Sequence, residues 1–414
     1  MLGHDARRAL ATLGVIVLAS VAVAPASAAT AGAAGPCVEP PERLGIGTHE
    51  PVAFAATAAN DAAAVGYDTN TYGAPAAVWI TRDRGGHWSR LCADTTALRA
   101  GKGQGGMVML DVAGAPDGTV VAVGLRGSIG NATGNVPQAW RSIDGGATWE
   151  RVDIPKRLYA TGETANPAMQ AVAWTGEEFV AAGVDDDPTR LAVWTSADGK
   201  RWARLGGSAA RALRGVKVRE VVGVAVNDAG DVVIAAEYGG YFENRHPEFL
   251  VRESNARAWK AADLPTGDLV QSLRPVKLTG IEALGGEFVA VGRGQVNAVG
   301  IAITSSDGIA WHATEEWPGT GVFRPLTVAA SPDTGFLIVG SRCPDADTTV
   351  NCTRELWRRG ADGSWAIVGS TPIGPGFSPS ALGVALGPPG TYYVGGSVFG
   401  GPDNSDAAFE VGTL

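Results

Sequence analysis

The sequence predicts an all-β protein, a seven-bladed β-propeller with four-stranded antiparallel blades. Three observations predict it. A box of serine or threonine, aspartate, glycine and tryptophan recurs six times, twice in degenerate form, a short apolar run recurs seven times, and both recur about every 50 to 60 residues. Four short strands in each unit, without helical periodicity, are typical of propeller blades at this repeat length. A β-sandwich would not repeat one phrase six times.

Each unit has the same order of strands. A strand A, such as MQAVAW at residues 169–174, leads through a turn into a buried strand B. The B strands are apolar runs, rich in β-branched residues and bounded by turn residues, as expected of strands buried on both faces. A variable polar loop, a strand C that ends in the box and a short strand D complete the unit. The B runs end at Gly66, Gly124, Gly183, Ala236, Gly292, Gly340 and Gly396.

The boxes are predicted to be structural turns. In SIDGGATW, residues 142–149, the serine and aspartate side chains can accept hydrogen bonds from backbone amides. Glycine permits a positive φ, and tryptophan can fold into the layer between blades. None of these roles needs a substrate. The residues assigned to the boxes are Thr81, Asp83, Gly85, Trp88, Ser142, Asp144, Gly146, Trp149, Ser196, Asp198, Gly199, Trp202, Trp259, Ser305, Asp307, Gly308, Trp311, Asp362, Gly363 and Trp365.

These boxes resemble the Asp-box, or bacterial neuraminidase, repeat of the sialidase-like β-propeller superfamily. That repeat is shared by sialidases, xyloglucan-cleaving glucanases, sortilin-like receptor domains and photosystem II assembly factors. The resemblance covers residues 37–414 and implies the propeller fold. It leaves function open, because enzymes and binding proteins both carry the repeat.

The last unit ends after its third strand, AAFEV at residues 407–411. The segment CVEPPERL, residues 37–44, precedes the first strand A and is similar to the D-strand segment HWSRL. We therefore expect it to form the outer strand of the seventh blade and to close the ring. Pro40 and Pro41 suit that position, since one edge of an outermost strand needs no partner.

The N-terminus has the pattern of a signal peptide. Arg7 and Arg8 precede an apolar run that ends near Ala24, and a small-residue cleavage site follows at residues 26–28. We predict a signal peptide at 1–28, a flexible linker at 29–36 and the propeller at 37–414, and hence a secreted protein. No later stretch is apolar for long enough to span a bilayer, so no membrane contact is expected after cleavage. The formal net charge of −9 argues against nucleic acid as a partner.

The four cysteines are predicted to form two disulfides, because an even number in an exported chain indicates pairing. Cys343 and Cys352 flank one polar loop and are expected to pair, which leaves Cys37 for Cys92 by elimination. The spacing of histidines and cysteines matches no zinc site, and no Ser-His-Asp arrangement is present. We expect neither a metal nor a cofactor.

Ligands are expected on the face formed by the B-to-C and D-to-A loops. These loops are long and varied, whereas the turns of the opposite face are short and similar. They include RGSIGNATGNVPQ, EYGGYFENRHPE and CADTTALRAGKGQGG. We expect a monomeric recognition or scaffold module that binds a glycan or a protein on this face.

The alternative function is an exported glycoside hydrolase of the sialidase type. The sialidase resemblance implies three arginines that grip a carboxylate and a Tyr/Glu pair as nucleophile and base. The family's Phe/Tyr-Arg-Ile-Pro motif is missing near the first strand, where the sequence reads EPVAFAATA, and FRPL occurs only in the sixth unit. We therefore expect a binding module rather than an enzyme. The candidate catalytic residues are Arg219, Arg274, Arg324, Glu237, Tyr238, Tyr241 and Glu243.

Overall fold

Strands of the computed structural model account for nearly all of its regular structure. It describes residues 49–58, 61–68, 75–92, 97–99, 105–127, 134–161, 165–185, 190–213, 216–238, 246–262, 276–294, 299–314, 317–345, 352–372, 377–387, 390–401 and 404–414. The signal peptide at 1–28, the linker at 29–36 and the closing strand at 37–44 are predictions that lie outside these residues. Within the described part of the chain, no helix has the length and apolarity that crossing a membrane requires.

The described residues form seven antiparallel sheets, one for each predicted unit. Within each sheet the strands follow chain order from the inner strand outward. Blade 1 is β1 (His49–Ala58), β2 (Asp61–Asp68), β3 (Ala76–Thr81) and β4 (Ser89–Arg90); blade 2 is β5 (Gly106–Gly114), β6 (Val120–Gly127), β7 (Val136–Ser142) and β8 (Glu150–Asp153); blade 3 is β9 (Ala168–Trp174), β10 (Phe179–Val184), β11 (Leu191–Ser196) and β12 (Ala203–Arg204).

The later blades repeat this order. Blade 4 is β13 (Glu220–Val226), β14 (Val232–Tyr238), β15 (His246–Arg252) and β16 (Lys260–Ala261); blade 5 is β17 (Val276–Leu284), β18 (Glu287–Gly294), β19 (Gly300–Ser305) and β20 (His312–Thr314); blade 6 is β21 (Val322–Ser331), β22 (Gly335–Cys343), β23 (Thr353–Arg359) and β24 (Trp365–Pro372); blade 7 is β25 (Phe377–Leu386), β26 (Thr391–Gly401) and β27 (Asn404–Thr413). In the described residues blade 7 has three strands.

The inner strands β1, β5, β9, β13, β17, β21 and β25 form a ring. Each contacts the inner strand of the next blade, and β25 contacts β1. This succession of contacts confirms the predicted seven-bladed propeller.

The hydrophobic core lies between the blades rather than inside one layer. Each pair of neighbouring blades shares at least one cluster of buried side chains. Within the described residues, six of the seven seams include the box tryptophan of the later blade. Trp311 of blade 5, for example, stacks on Phe249 of blade 4 with ring centroids 4.0 Å apart, and Trp88 of blade 1 stacks on Phe409 of blade 7 at 4.4 Å. The boxes therefore join neighbouring blades.

Each inner strand contains a bulge or register shift where it pairs with its B strand. In blade 2 the shift falls between Met109 and Asp111, opposite Gly124. A Cβ on Gly124 would lie 1.9 Å from the carbonyl oxygen of Val108. Gly183, Gly292 and Gly340, which end the B runs of blades 3, 5 and 6, likewise lie inside their strands, where the bulged backbone approaches too closely for a side chain. Blade 4 has Ala236 at this position, and nothing in the structure explains why it is accepted.

The sixth blade contains the disulfide that the sequence predicts for its loop. Cys343 and Cys352 are bonded with their Cα atoms 4.3 Å apart. Both are buried, at the end of β22 and just before β23. Cys92 is also disulfide-bonded; Cys37, its predicted partner, lies outside the described residues.

Candidate functional site

The box hairpins are stabilised by their own residues. In blade 2, Ser142 Oγ donates to Asp144 Oδ1 at 2.7 Å and accepts from the backbone N–H of Gly146 at 2.8 Å. Asp144 Oδ1 accepts from the backbone N–H of Thr148 at 2.8 Å, and Trp149 Nε1 donates to the Gly146 carbonyl at 2.8 Å. These polar groups find their partners inside the turn, which is the arrangement expected of a structural hairpin.

The same hydrogen bonds hold the box carboxylates in their charged form. Hydrogen bonds from His87 lower the pKa of Asp83 to about 2. Burial raises the pKa of Asp144, but the bonds from Thr148 and its neighbours outweigh burial and lower it overall. The same balance lowers the pKa of Asp198. Carboxylates this acidic are poor proton donors at neutral pH, so Asp83, Asp144 and Asp198 are unsuited to act as general acids.

On the opposite, loop-bearing face, the first candidate catalytic residue lies in a contact between blades. Glu237 is the last residue but one of strand B of blade 4 and is fully buried. Its Oε1 accepts from the backbone N–H of Leu278 in blade 5 at 2.5 Å. The Arg219 backbone N–H donates to the Glu237 carbonyl oxygen at 2.6 Å. The carboxylate of Glu237 thus joins two blades, a position quite different from the accessible one that a base needs.

The other described candidates belong to blades 4 and 6. Tyr238 is half-buried, and its ring lies edge-on to His246 with centroids 5.0 Å apart. Arg324 of blade 6 is 5% exposed and donates from Nη2 to the Asp345 carbonyl at 3.4 Å. Arg219 belongs to blade 4, so blade 5 separates its blade from that of Arg324. Tyr241, Glu243 and Arg274 lie outside the described residues.

One charged pair on this face was not foreseen from the sequence. Burial, and then the positive charge of Arg324, lower the pKa of Arg293 at the end of β18. Two guanidinium groups therefore lie near each other where blades 5 and 6 meet. Arg324 in FRPL was a candidate from the sequence, but the approach of Arg293 from β18 depends on how blades 5 and 6 meet in the ring.

A central channel runs between the seven inner strands. Its cavity of about 410 Å³ is lined by residues from all seven of them. Most of the lining residues are apolar or glycine. The five with polar side chains are Asp111, Gln170, Thr279, Glu282 and Thr327. Among the described residues, no arginine or tyrosine lines this channel, whereas a sialidase-type site needs arginines around a Tyr–Glu contact.

Two carboxylates with raised pKa values face this channel. Burial raises the pKa of Asp111 to about 7. Burial, together with the charge of Asp111, raises the pKa of Glu282 to about 8. The sequence analysis missed both residues, although each is a lone acid in an inner strand, in the phrases MLDVAG and GIEAL. Such an acid in an otherwise apolar run is the signal that could have identified them.

Side chains from one blade also hydrogen-bond to the inner strand of the next. Asp111 Oδ2 accepts from the backbone N–H of Val172, and Gln170 Oε1 accepts from that of Val221, at 2.8 and 2.9 Å. These amides lie beside the bulges, where the regular ladder is interrupted. Asp111 and Gln170 therefore have a structural role that Glu237 shares. Within the described part of the chain, no group of three or more acidic, histidine or cysteine side chains could hold a metal ion.

Comparison with known proteins places this geometry among solved propellers. No family model matches the chain, and no curated protein matches it. The structure of YCF48 bound to D1 peptide is 12% identical with a TM-score of 0.52, and the match covers 92% of this chain and 98% of that one. At 12% identity, this similarity shows the fold alone.

Two similar structures are hydrolases. The GH74 xyloglucanase from Xanthomonas campestris is 16% identical with a TM-score of 0.51, over 91% of this chain. Trypanosoma rangeli sialidase is 11% identical with a TM-score of 0.52, over 88% of this chain. Each match covers only 55% of the enzyme, so this chain spans about half the length of either hydrolase.

Proposed function

We propose that this protein is an exported recognition module whose loop-bearing face binds a segment of another protein. The observation that carries the proposal is the use of the polar residues near the channel. Glu237, Gln170 and Asp111 bond backbone amides of neighbouring blades, and most of the residues that line the channel are apolar or glycine. Groups already committed to blade contacts hold the ring together and are not free for catalysis.

The share of each chain that the matches cover supports a binding role. The similar YCF48 structure contains a bound peptide and matches nearly the whole of both chains. The similar hydrolases have nearly half their length outside the match. A propeller of this size can therefore serve for peptide recognition, and we extend that role to this chain.

Export is part of the same proposal. The Cys343–Cys352 disulfide suits an oxidising compartment. The pattern of residues 1–28 supports secretion through a cleaved signal peptide. Intact-mass measurement of the protein recovered from culture medium should find an N-terminus beginning after Ala28.

The alternative is a glycoside hydrolase of the sialidase type. The neighbouring guanidinium groups of Arg293 and Arg324 favour it, because paired arginines can grip a carboxylate. Arg219 and Arg274 would complete the clamp, and Tyr238 or Tyr241 would be the nucleophile.

An activity assay and a binding assay on one preparation distinguish these functions. The purified protein would be incubated with a fluorogenic sialoside and with xyloglucan, beside a known sialidase and xyloglucanase as positive controls. It would also be applied to a peptide array and a glycan array. We expect no turnover and saturable binding to peptides. Turnover that is lost in Arg324→Ala would overturn the proposal, and binding confined to glycans would replace the protein ligand with a sugar.

A further inference from the structure

A second cavity lies on the outer part of blade 3, away from the channel. It has a volume of about 430 Å³ and lies between strands β11 and β12 and the loop that follows β12. Leu191, Leu205 and Leu213 form apolar walls, and Arg190 and Arg204 supply charge. Arg190 follows the B-to-C loop, and residues 205–213 belong to the D-to-A loop. The cavity therefore opens among the loops of the binding face proposed above.

The segment that follows β11 beside this cavity is strongly basic, in contrast to the rest of the molecule. Residues 200–219 contain seven lysines and arginines and no acidic residue, within a protein of net charge −9. Lys200 and Arg201 form ion pairs with acidic side chains. In the described part of the chain, no ion pair involves Arg190, Arg211 or Lys217. In the described residues these three cationic side chains thus have no ion-pair partner, while the loop before Arg190 carries Asp185, Asp186 and Asp187 in its sequence.

The backbone sets two of these cations side by side. An isolated antiparallel bridge pairs Arg190 with Lys217, and the Leu191 N–H donates to the Val216 carbonyl at 3.4 Å. Like charges directly opposite each other on paired strands are destabilising. A carboxylate bound between Arg190 and Lys217 would relieve that repulsion, so the pair forms a ready site for an anion.

A third cation is fixed in the wall. Arg204 forms an ion pair with Asp185, which is 1% exposed, and Asp185 Oδ1 also accepts from the Ala160 backbone N–H at 2.6 Å. Only 27% of the Arg204 side chain is exposed. Because both partners are held, the guanidinium is preorganised and loses little entropy when it donates to a ligand.

We propose that this blade 3 pocket binds a carboxylate of a peptide, with an adjacent apolar side chain in the leucine-lined cavity. The inference rests on the proposed function and names its ligand class. Arg190 and Lys217 contact the carboxylate at the rim, and Arg204 donates from the wall. The leucines favour a peptide over nucleic acid, which needs a longer basic surface and no apolar cavity. The carboxylate is either a C-terminus or an aspartate or glutamate side chain.

Fluorescence anisotropy with a defined probe tests the pocket. The probe is a fluorescein-labelled peptide of leucine, aspartate and glutamate with a free C-terminus, titrated with the full chain. We expect Arg190→Glu to weaken binding at least tenfold. Arg257→Glu is the matched control, because Arg257 is an exposed arginine in the box segment of blade 4 and the charge change is the same. Equal weakening by both variants would overturn the pocket and indicate general attraction to charge.

A further variant and further probes distinguish the remaining explanations of binding. Ala210→Trp fills the cavity without changing charge and should also weaken binding at least tenfold. Amidation of the C-terminus, or replacement of the acidic side chains by amides, identifies which carboxylate is bound. A DNA oligonucleotide that binds as tightly as the peptide would overturn the ligand class. Unchanged peptide binding in both Arg190→Glu and Ala210→Trp would overturn this inference and leave the proposed function intact. Turnover of the sialoside would instead overturn the proposed function.

Discussion

In blades 2, 3, 5 and 6 the glycine at the end of the B run is the residue that lets the bulged inner strand approach. Gly124→Ala would place a methyl group 1.9 Å from the Val108 carbonyl oxygen, so the two strands must separate locally. We expect the variant to lose about 1–3 kcal/mol of unfolding free energy, as is common for overpacked sites. Gly286→Ala is the control, since a Cβ there meets nothing within 4 Å. Chemical denaturation measures both, and equal stability would contradict the bulge explanation.

The two channel carboxylates predict an unusual pH dependence of stability. The pKa values of Asp111 and Glu282 rise from 3.8 and 4.5 to about 7 and about 8 on folding. The folded state therefore binds more protons than the unfolded state between these limits. Their contribution is complete below about pH 4 and is lost as the pH rises through 7 to 8.

Glu282→Gln should remove much of this loss. We expect the variant to gain about 1–3 kcal/mol over the wild type at pH 9 and little at pH 5, because each pKa unit corresponds to about 1.4 kcal/mol. The box aspartates, with lowered pKa values, destabilise only in stronger acid. Urea unfolding at pH 5, 7 and 9 measures the difference. A constant difference at all three values would contradict the raised pKa.

The box hairpin of blade 2 depends on the carboxylate of Asp144. Asp144→Ala leaves the backbone N–H of Thr148 without its acceptor, and we expect a loss of about 1–3 kcal/mol. Asp362→Ala is the comparison, because the Asp362 carboxylate is exposed and bonds only Ser364 among the hydrogen bonds described here. We expect a clearly smaller change in its melting temperature. Loss of peptide binding by Asp144→Ala without loss of stability would refute the structural role of the box.

Sequence periodicity predicts the elements better than it predicts their contacts. The seven B runs and six boxes become strands and hairpins in the expected order, because each depends on neighbours within about 60 residues. The pair of Asp111 and Glu282 could not be predicted in this way. Their strands, β5 and β17, face one channel only because the ring brings distant blades together. The sequence likewise assigns Glu237 to a loop. Its hydrogen bond to the Leu278 backbone depends on the contact between blades 4 and 5, which only the structure shows.

Closure of the ring by residues 37–44 can be tested by deleting this segment. Deleting residues 37–44 should expose the outer edge of β27 and lower the melting temperature by several degrees, if that segment supplies the fourth strand of blade 7. The deletion also removes Cys37, so Cys37→Ser combined with Cys92→Ser is the control. Differential scanning calorimetry compares the two. Melting within a degree or two of that control would show that the segment does not close the ring.

The seam between blades 6 and 7 differs from the other six because the sequence has no tryptophan after Trp365. Its buried cluster is mainly aliphatic, with Ala329, Leu337 and Val384 among its members, whereas Trp88 fills the seam between blades 7 and 1. An aliphatic seam buries less area than one filled by an indole ring. Transient opening of the ring should therefore begin there. Amide hydrogens of β25 should exchange with deuterated solvent faster than those of β13, and the circle would open at one fixed place.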